Sequence, residues 1–459
     1  MNLSTPAHRA FLANTLHTPL RGQIEYLPAA LIVVNPDGTI ASLHPQGSAD
    51  HDRLAARHRA AGTLVTVPPG QFLLPGFIDL HVHAPQWPQL GLALDLPLEE
   101  WLQKCTFPLE ARFADLAFAE PAYESLVDAL LANGTTTALY FASIHLAATK
   151  KLADICLRRS QRALIGRVAM DNPDQCPDFY RDASAQAAEA DTREFMRYVH
   201  AMSGNEGLIL PVITPRFIPS CTDDLLVRLG KLAQETGCHV QTHCSESDWA
   251  HAFVLERCGV SDTTALDRLG LLSRRTILAH GNFIGDADVS TILERGAGIA
   301  HCPLSNVYFS DAVFPLRRML DRGVHVGLGT DISGGASPSI LENTRHAVIA
   351  SRSLESGVDP TQGRTERRSP DSRIDAPTAF WLATVGGGSA LDLPIGLFRE
   401  GYQFDAIVVD PATRLSNLRL SPEASPDEVL QKIVYHGARA NILETWVANR
   451  RVHSRDAAN

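Results

Sequence analysis

Apolar, β-branched runs recur through the middle of the chain near residues 76–83, 134–142, 163–171, 207–214, 238–244, 275–281, 297–302 and 324–331. Stretches with apolar residues at helical spacing separate them, so the pattern predicts eight strands alternating with helices. Parallel neighbours need crossover helices, and eight such units close into a (β/α)8 barrel, a TIM-type fold of class α/β. In such a barrel the chemistry sits at the C-terminal ends of the strands. An open doubly wound sheet would carry a glycine-rich phosphate loop after its first strand, and none is present.

The flanks have a different rhythm. Between about residue 20 and residue 74 lie short strand-like runs such as Ala30-Leu31-Ile32-Val33-Val34, followed by the turn sequence Asn35-Pro36-Asp37-Gly38-Thr39. Asp405 to Asp410 and Glu444 to Asn449 are similar in character. The pattern predicts a small β-sandwich-like domain built from both termini: residues 1–74, and 386–459 together with a last helix, around a catalytic barrel of residues 75–385. Glu355 to Asp375 is polar and rich in Arg, Ser, Pro and Gly, and reads as an exposed loop.

Candidate chemistry gathers at the predicted strand ends. In the first barrel strand, alternation puts Asp79, His81 and His83 on one face and Ile78, Leu80 and Val82 on the other. Two imidazoles at the end of a buried strand can grip a divalent metal, and the following loop brings Gln86 and Trp87 close to it. His-x-His alone is common by chance. Further along, however, one run ends in His243 with Glu246 three residues on, another in His280 before Gly281, and the last in Asp331 before Gly334-Gly335. Metal-competent residues at successive strand ends point to one site.

Composition narrows the setting. With 459 residues, 45% hydrophobic and 20% charged, the chain exceeds one usual domain and has ordinary globular make-up. A net charge of -10 without a basic stripe argues against nucleic acid as a partner. The apolar runs are too short to span a membrane and Met1 to His8 lacks a signal-peptide core, so a cytoplasmic location is expected. The eight cysteines are scattered without a Cys-x-x-Cys pair, which suits reduced thiols.

Pro75-Gly76-Phe77-Ile78-Asp79-Leu80-His81-Val82-His83, with His243, His280 and Thr330-Asp331, resembles the amidohydrolase superfamily of metal-dependent hydrolases. The segments His83-Ala84-Pro85-Gln86, Thr106-Phe107-Pro108, Thr214-Pro215-Arg216-Phe217, Ser245-Glu246 and Ala300-His301-Cys302-Pro303 are similar to its guanine deaminase branch, collinearly from about residue 70 to 350. Trp87 stands where that branch often has tyrosine, and Ser247 where asparagine is common.

The resemblance implies one zinc per chain, held by His81, His83, His243 and Asp331. The bridging lysine of binuclear relatives is missing, because the fourth strand ends in Thr214-Pro215-Arg216-Phe217. It further implies that Asp331 accepts a proton from water, that His280 orients the nucleophile, and that Glu246 protonates a ring nitrogen. The substrate pocket would comprise His83, Ala84, Pro85, Gln86, Arg216, Phe217, Glu246 and His280, with Trp87 and Trp101 either as its walls or, equally, as core. From the residues alone, Arg216 could equally be a structural ion pair and Phe217 core, whereas Glu246, three residues after His243, reads as a catalytic carboxyl over a helix-start residue.

The implied activity is hydrolytic deamination of guanine to xanthine and ammonia, a step of purine catabolism, by a homodimer that binds neither nucleic acid nor membrane. The rival substrates are other amino-heterocycles, namely 8-oxoguanine, a pterin or an aminotriazine. From a different class, a metal-free scaffold protein would have lost ligands that are all present here. The cytidine-type zinc deaminases are excluded, since His-x-Glu with Pro-Cys-x-x-Cys is absent.

Overall fold

In the computed structural model, residues 8–457 are described, so the N-terminal stretch examined for a leader lies outside the described residues except for His8. Eight parallel strands form the central sheet: β1 (Phe77–His83), β2 (Thr135–Phe141), β3 (Arg162–Ala169), β4 (Ile209–Pro215), β5 (His239–Cys244), β6 (Thr276–His280), β7 (Gly298–His301) and β8 (His325–Leu328). Each pairs in parallel with its sequence neighbour, and helices connect successive strands. The segment after β8 returns to β1 through Asp331 N–H to the His81 carbonyl (2.8 Å) and His83 N–H to the Ile332 carbonyl (2.9 Å). These bonds bring the last strand round to the first. The eight predicted runs and the eight strands coincide to within about two residues except at the end of β8.

Strand β8 stops at Leu328 rather than at Asp331. Gly329 lies so close to β1 that a Cβ there would sit 2.8 Å from that of His81. Asp331 then adopts a left-handed conformation (φ 50°), which no ladder accommodates. The side chain is therefore carried on a turn above the barrel. Alternation along β1 is also imperfect, because its pairing with β2 shifts register between Asp79 and Val82. Ile78 and Leu80 accordingly join a cluster with Leu139, Leu164, Val212 and Ile277 of four other strands, whereas Val82 packs with Leu126 and Leu130 of helix 116–132.

A second eight-stranded sheet comes from both ends of the chain. Strand Ala406–Val409 runs antiparallel to Phe72–Pro75, immediately before β1, and so joins the two termini at the barrel. Its side chains alternate between two cores. Ala406 and Val408 bury against Phe11, Ile32 and Trp446 within the small sheet, while Ile407 and Val409 pack with Leu74 and Phe77 on the barrel side. Within 355–375 most residues are exposed, a helical turn spans Arg364–Arg367, and Ser372 and Ile374 are buried. Among the described residues no helix is long and apolar enough to cross a membrane.

Candidate active site

The strand ends place His81, His83, His243, His280 and Asp331 together, all buried. His83 Nε2 and His243 Nε2 are 3.0 Å apart. Asp331 Oδ1 lies 3.2 Å from His81 Nε2 and 3.4 Å from His83 Nε2, and its Oδ2 lies 3.9 Å from His280 Nε2. Burial holds the imidazoles of His81, His83 and His243 below their ordinary range, which favours the form with a free lone pair. Burial also works against the Asp331 carboxylate, but the His81 ring, with help from His280, outweighs it and holds that carboxyl at about 2.

The rings are aimed from behind. His243 donates its Nδ1–H to the Arg216 carbonyl (2.6 Å), and His280 donates its Nδ1–H to Asn306 Oδ1 (2.9 Å). Their Nε2 atoms are thereby turned toward the centre of the cluster. The buried Nε2 atoms of His81 and His280 have no hydrogen-bond partner in the protein. Converging imidazoles, one ionised carboxylate and orphaned nitrogens fit a divalent metal. Asp79 is a brace rather than a ligand: it accepts from Thr330 N–H (2.9 Å), Thr330 Oγ1 (2.6 Å) and His81 N–H (3.2 Å), tying β1 to the turn that carries Asp331. Burial pushes its carboxyl up to about 7.

Glu246 is not the cap of the helix that follows it. Ser247 has that role, its Oγ accepting from Ala250 N–H at 3.2 Å. The Glu246 carboxylate is left to face His280 Nε2 at 3.5 Å, and burial pushes its carboxyl up. Beside it opens a cavity lined by His83, Gln86, Trp101, Arg216, Phe217, His243, Glu246 and Asp331 among others. Ala84 and Pro85 are buried in the helical turn Ala84–Gln89 without lining this space, and His280 lies beneath it. Of the two readings of Trp87, the structure takes the second: the helical turn Ala84–Gln89 points it away from the cavity, where it packs against the cluster that includes Leu126 and Leu130 and its indole N–H donates to Ser125 Oγ (3.1 Å).

Arg216 turns out to be both of its alternatives, lining the cavity and forming a buried ion pair. Its partner is Glu110, at 2.7 Å and 3.2 Å, a residue that sequence reasoning missed. Glu110 also binds Gln86 Nε2 (2.8 Å) and the Tyr180 hydroxyl (2.6 Å). The one signal was proximity, since Glu110 lies two residues after Thr106-Phe107-Pro108. Asn306 was missed too, although its helix begins at Pro303, just after β7. Phe217 lines the cavity with its ring centroid 6.1 Å from that of His243.

The amidohydrolase family model matches residues 72–452. The chain is 36% identical over 451 residues to a probable guanine deaminase of Schizosaccharomyces pombe, covering 96% of this chain and 83% of that protein. It is 37% identical over 392 residues to the guanine deaminase of Homo sapiens, covering 83% of each. The crystal structure of guanine deaminase from C. acetobutylicum with bound guanine in its active site superposes with a TM-score of 0.85 at 29% identity, over 97% of this chain and 100% of that one. The chain belongs to the amidohydrolase family.

Proposed function

We propose that this chain is a guanine deaminase, an enzyme that hydrolyses guanine to xanthine and ammonia. What carries the assignment is the meeting of two unlike groups at one cavity: the histidine and aspartate cluster on one side, and Arg216 with Gln86 on the other. Likeness to relatives named as guanine deaminases, one of them solved with guanine bound, supports the same reaction.

His81, His83, His243 and Asp331 would hold one zinc ion, which when bound supplies a Lewis acid for activating water. Asp331, kept ionised by its imidazole neighbours, accepts the proton of the water that adds to C2 of guanine. His280, fixed by Asn306, orients that water. Glu246, whose raised affinity for protons follows from burial, delivers a proton to a ring nitrogen and relieves the negative charge that addition creates. The proton held by Asp331 passes to the exocyclic nitrogen, the C2–N bond breaks as the C2 hydroxyl becomes a carbonyl and returns its proton to Glu246, and ammonia leaves. Arg216 donates to the ring carbonyl, Gln86 offers both a donor and an acceptor to the ring edge, and Phe217 and Trp101 flank the ring. The family resemblance adds a homodimer.

The deciding experiment is ammonia release from guanine, 8-oxoguanine, a pterin, an aminotriazine and adenine under one set of conditions. Guanine should be fastest by a wide margin. Faster release from any other member of the panel would replace guanine as the substrate.

A further inference from the structure

Glu110 lies wholly inside the protein at 0% exposure, behind the two side chains that face the ring. An ionised carboxylate has about four lone-pair positions. All four are taken. Oε2 accepts from Arg216 Nη1 (2.7 Å) and the Tyr180 hydroxyl (2.6 Å), and Oε1 from Gln86 Nε2 (2.8 Å) and Arg216 Nη2 (3.2 Å). Nothing remains for a substrate or a proton relay, so Glu110 is not a catalytic residue.

Two consequences follow for the cavity. The Gln86 carboxamide is locked end to end, because its Oε1 also accepts from Ser333 N–H at 3.1 Å. It therefore presents one N–H and one lone pair, with its amide unable to flip. Arg216 keeps N–H groups for a carbonyl, but its positive charge is cancelled by a two-point ion pair at close range. A guanidinium in that state still donates hydrogen bonds, yet draws an anion no more strongly than a neutral molecule.

We propose that Glu110 is a positioning residue that cancels the charge of Arg216 and fixes the polarity of Gln86, so that the cavity selects a neutral carbonyl-bearing heterocycle against an anionic one. The proposal deepens the guanine deaminase assignment and shares its placement of Arg216 and Gln86 at the ring. It also gives product release a cause, since xanthine is a stronger N–H acid than guanine and its anion would be held by an unpaired arginine.

Metal-loaded protein would be titrated, through tryptophan fluorescence, with urate, a monoanion at neutral pH, and with hypoxanthine, a neutral oxopurine. The readout is the ratio of the two affinities. Glu110→Gln should shift that ratio toward urate by about tenfold or more, while Glu110→Asp, which keeps the charge, should leave the ratio as in the wild type. If Glu110→Gln does not accumulate as folded protein, Arg216→Gln carries the test with opposite sign, its unpaired carboxylate weakening urate about tenfold against hypoxanthine. An unchanged ratio in the folded variant, or an equal shift in Glu110→Asp, overturns the proposal. Because the ratio needs no turnover, it can fail while the wild type deaminates guanine, and it can hold where the wild type does not.

Discussion

The two sides of the cavity are built on opposite rules. Around His81, His83, His243, His280 and Asp331, lone pairs converge and three buried ring nitrogens lack hydrogen-bond partners. Around Glu110, Arg216, Gln86 and Tyr180, each carboxylate oxygen is doubly occupied. Buried polar groups left open are costly to a fold unless something else completes them. In the proposed function the open cluster is the reacting side, kept at the expense of stability, and the closed network is the template that holds its shape before the ring arrives. Changes on the first side should cost activity, and changes on the second should cost stability as well.

The largest effect is expected at the open cluster. His81→Ala should reduce bound zinc from about one per chain to a trace and lower turnover by on the order of 10⁴-fold or more, the scale seen when one member of a catalytic unit is removed. Atomic absorption beside an ammonia assay measures both. Two metals per wild-type chain would contradict the four-ligand set. Glu246→Gln should keep the metal and the melting temperature yet lose about 10²–10⁴-fold in turnover, since only proton delivery is removed. Near-normal turnover in a metal-loaded Glu246→Gln protein would leave that proton transfer to another group.

Arg216→Ala probes the closed side. Removing one partner of a buried pair strands the other charge, so denaturant unfolding should show a loss of about 3–5 kcal/mol, in contrast to Glu246→Gln. In protein that remains folded, the preference for guanine over adenine should largely disappear, because adenine presents an amino group where guanine has its carbonyl. Full stability in Arg216→Ala would break the contrast between the two sides. An unchanged guanine-to-adenine ratio would remove the arginine from recognition.

How far each side could be foreseen follows from the same contrast. Strand periodicity located the barrel, and strand ends carry ligands at positions set by local alternation, so His81, His83, His243 and His280 were legible one strand at a time. The turn that lifts Asp331 clear of β8 was not, because a left-handed residue leaves no periodic trace. Glu110 was hidden for a different reason. It sits on a five-residue helix after an irregular segment, and its partner is 106 positions away, a contact that only the closed barrel creates.

The smallest effect is predicted for Trp87, and it tests where the cavity ends. A tryptophan one residue after Gln86 reads in the sequence as either pocket wall or core, and the helical turn directs it to helix 116–132, where it is half-buried and makes one hydrogen bond to Ser125. Trp87→Phe keeps most of the apolar contact and loses that bond, so stability should fall by about 0.5–1.5 kcal/mol. The guanine KM and turnover should stay within about twofold of wild type, since no contact with ring or metal ligand is altered. A tenfold change in KM would mean that the turn Ala84–Gln89 moves Trp87 into the cavity when the ring binds, and that the open side extends beyond the residues that line it here.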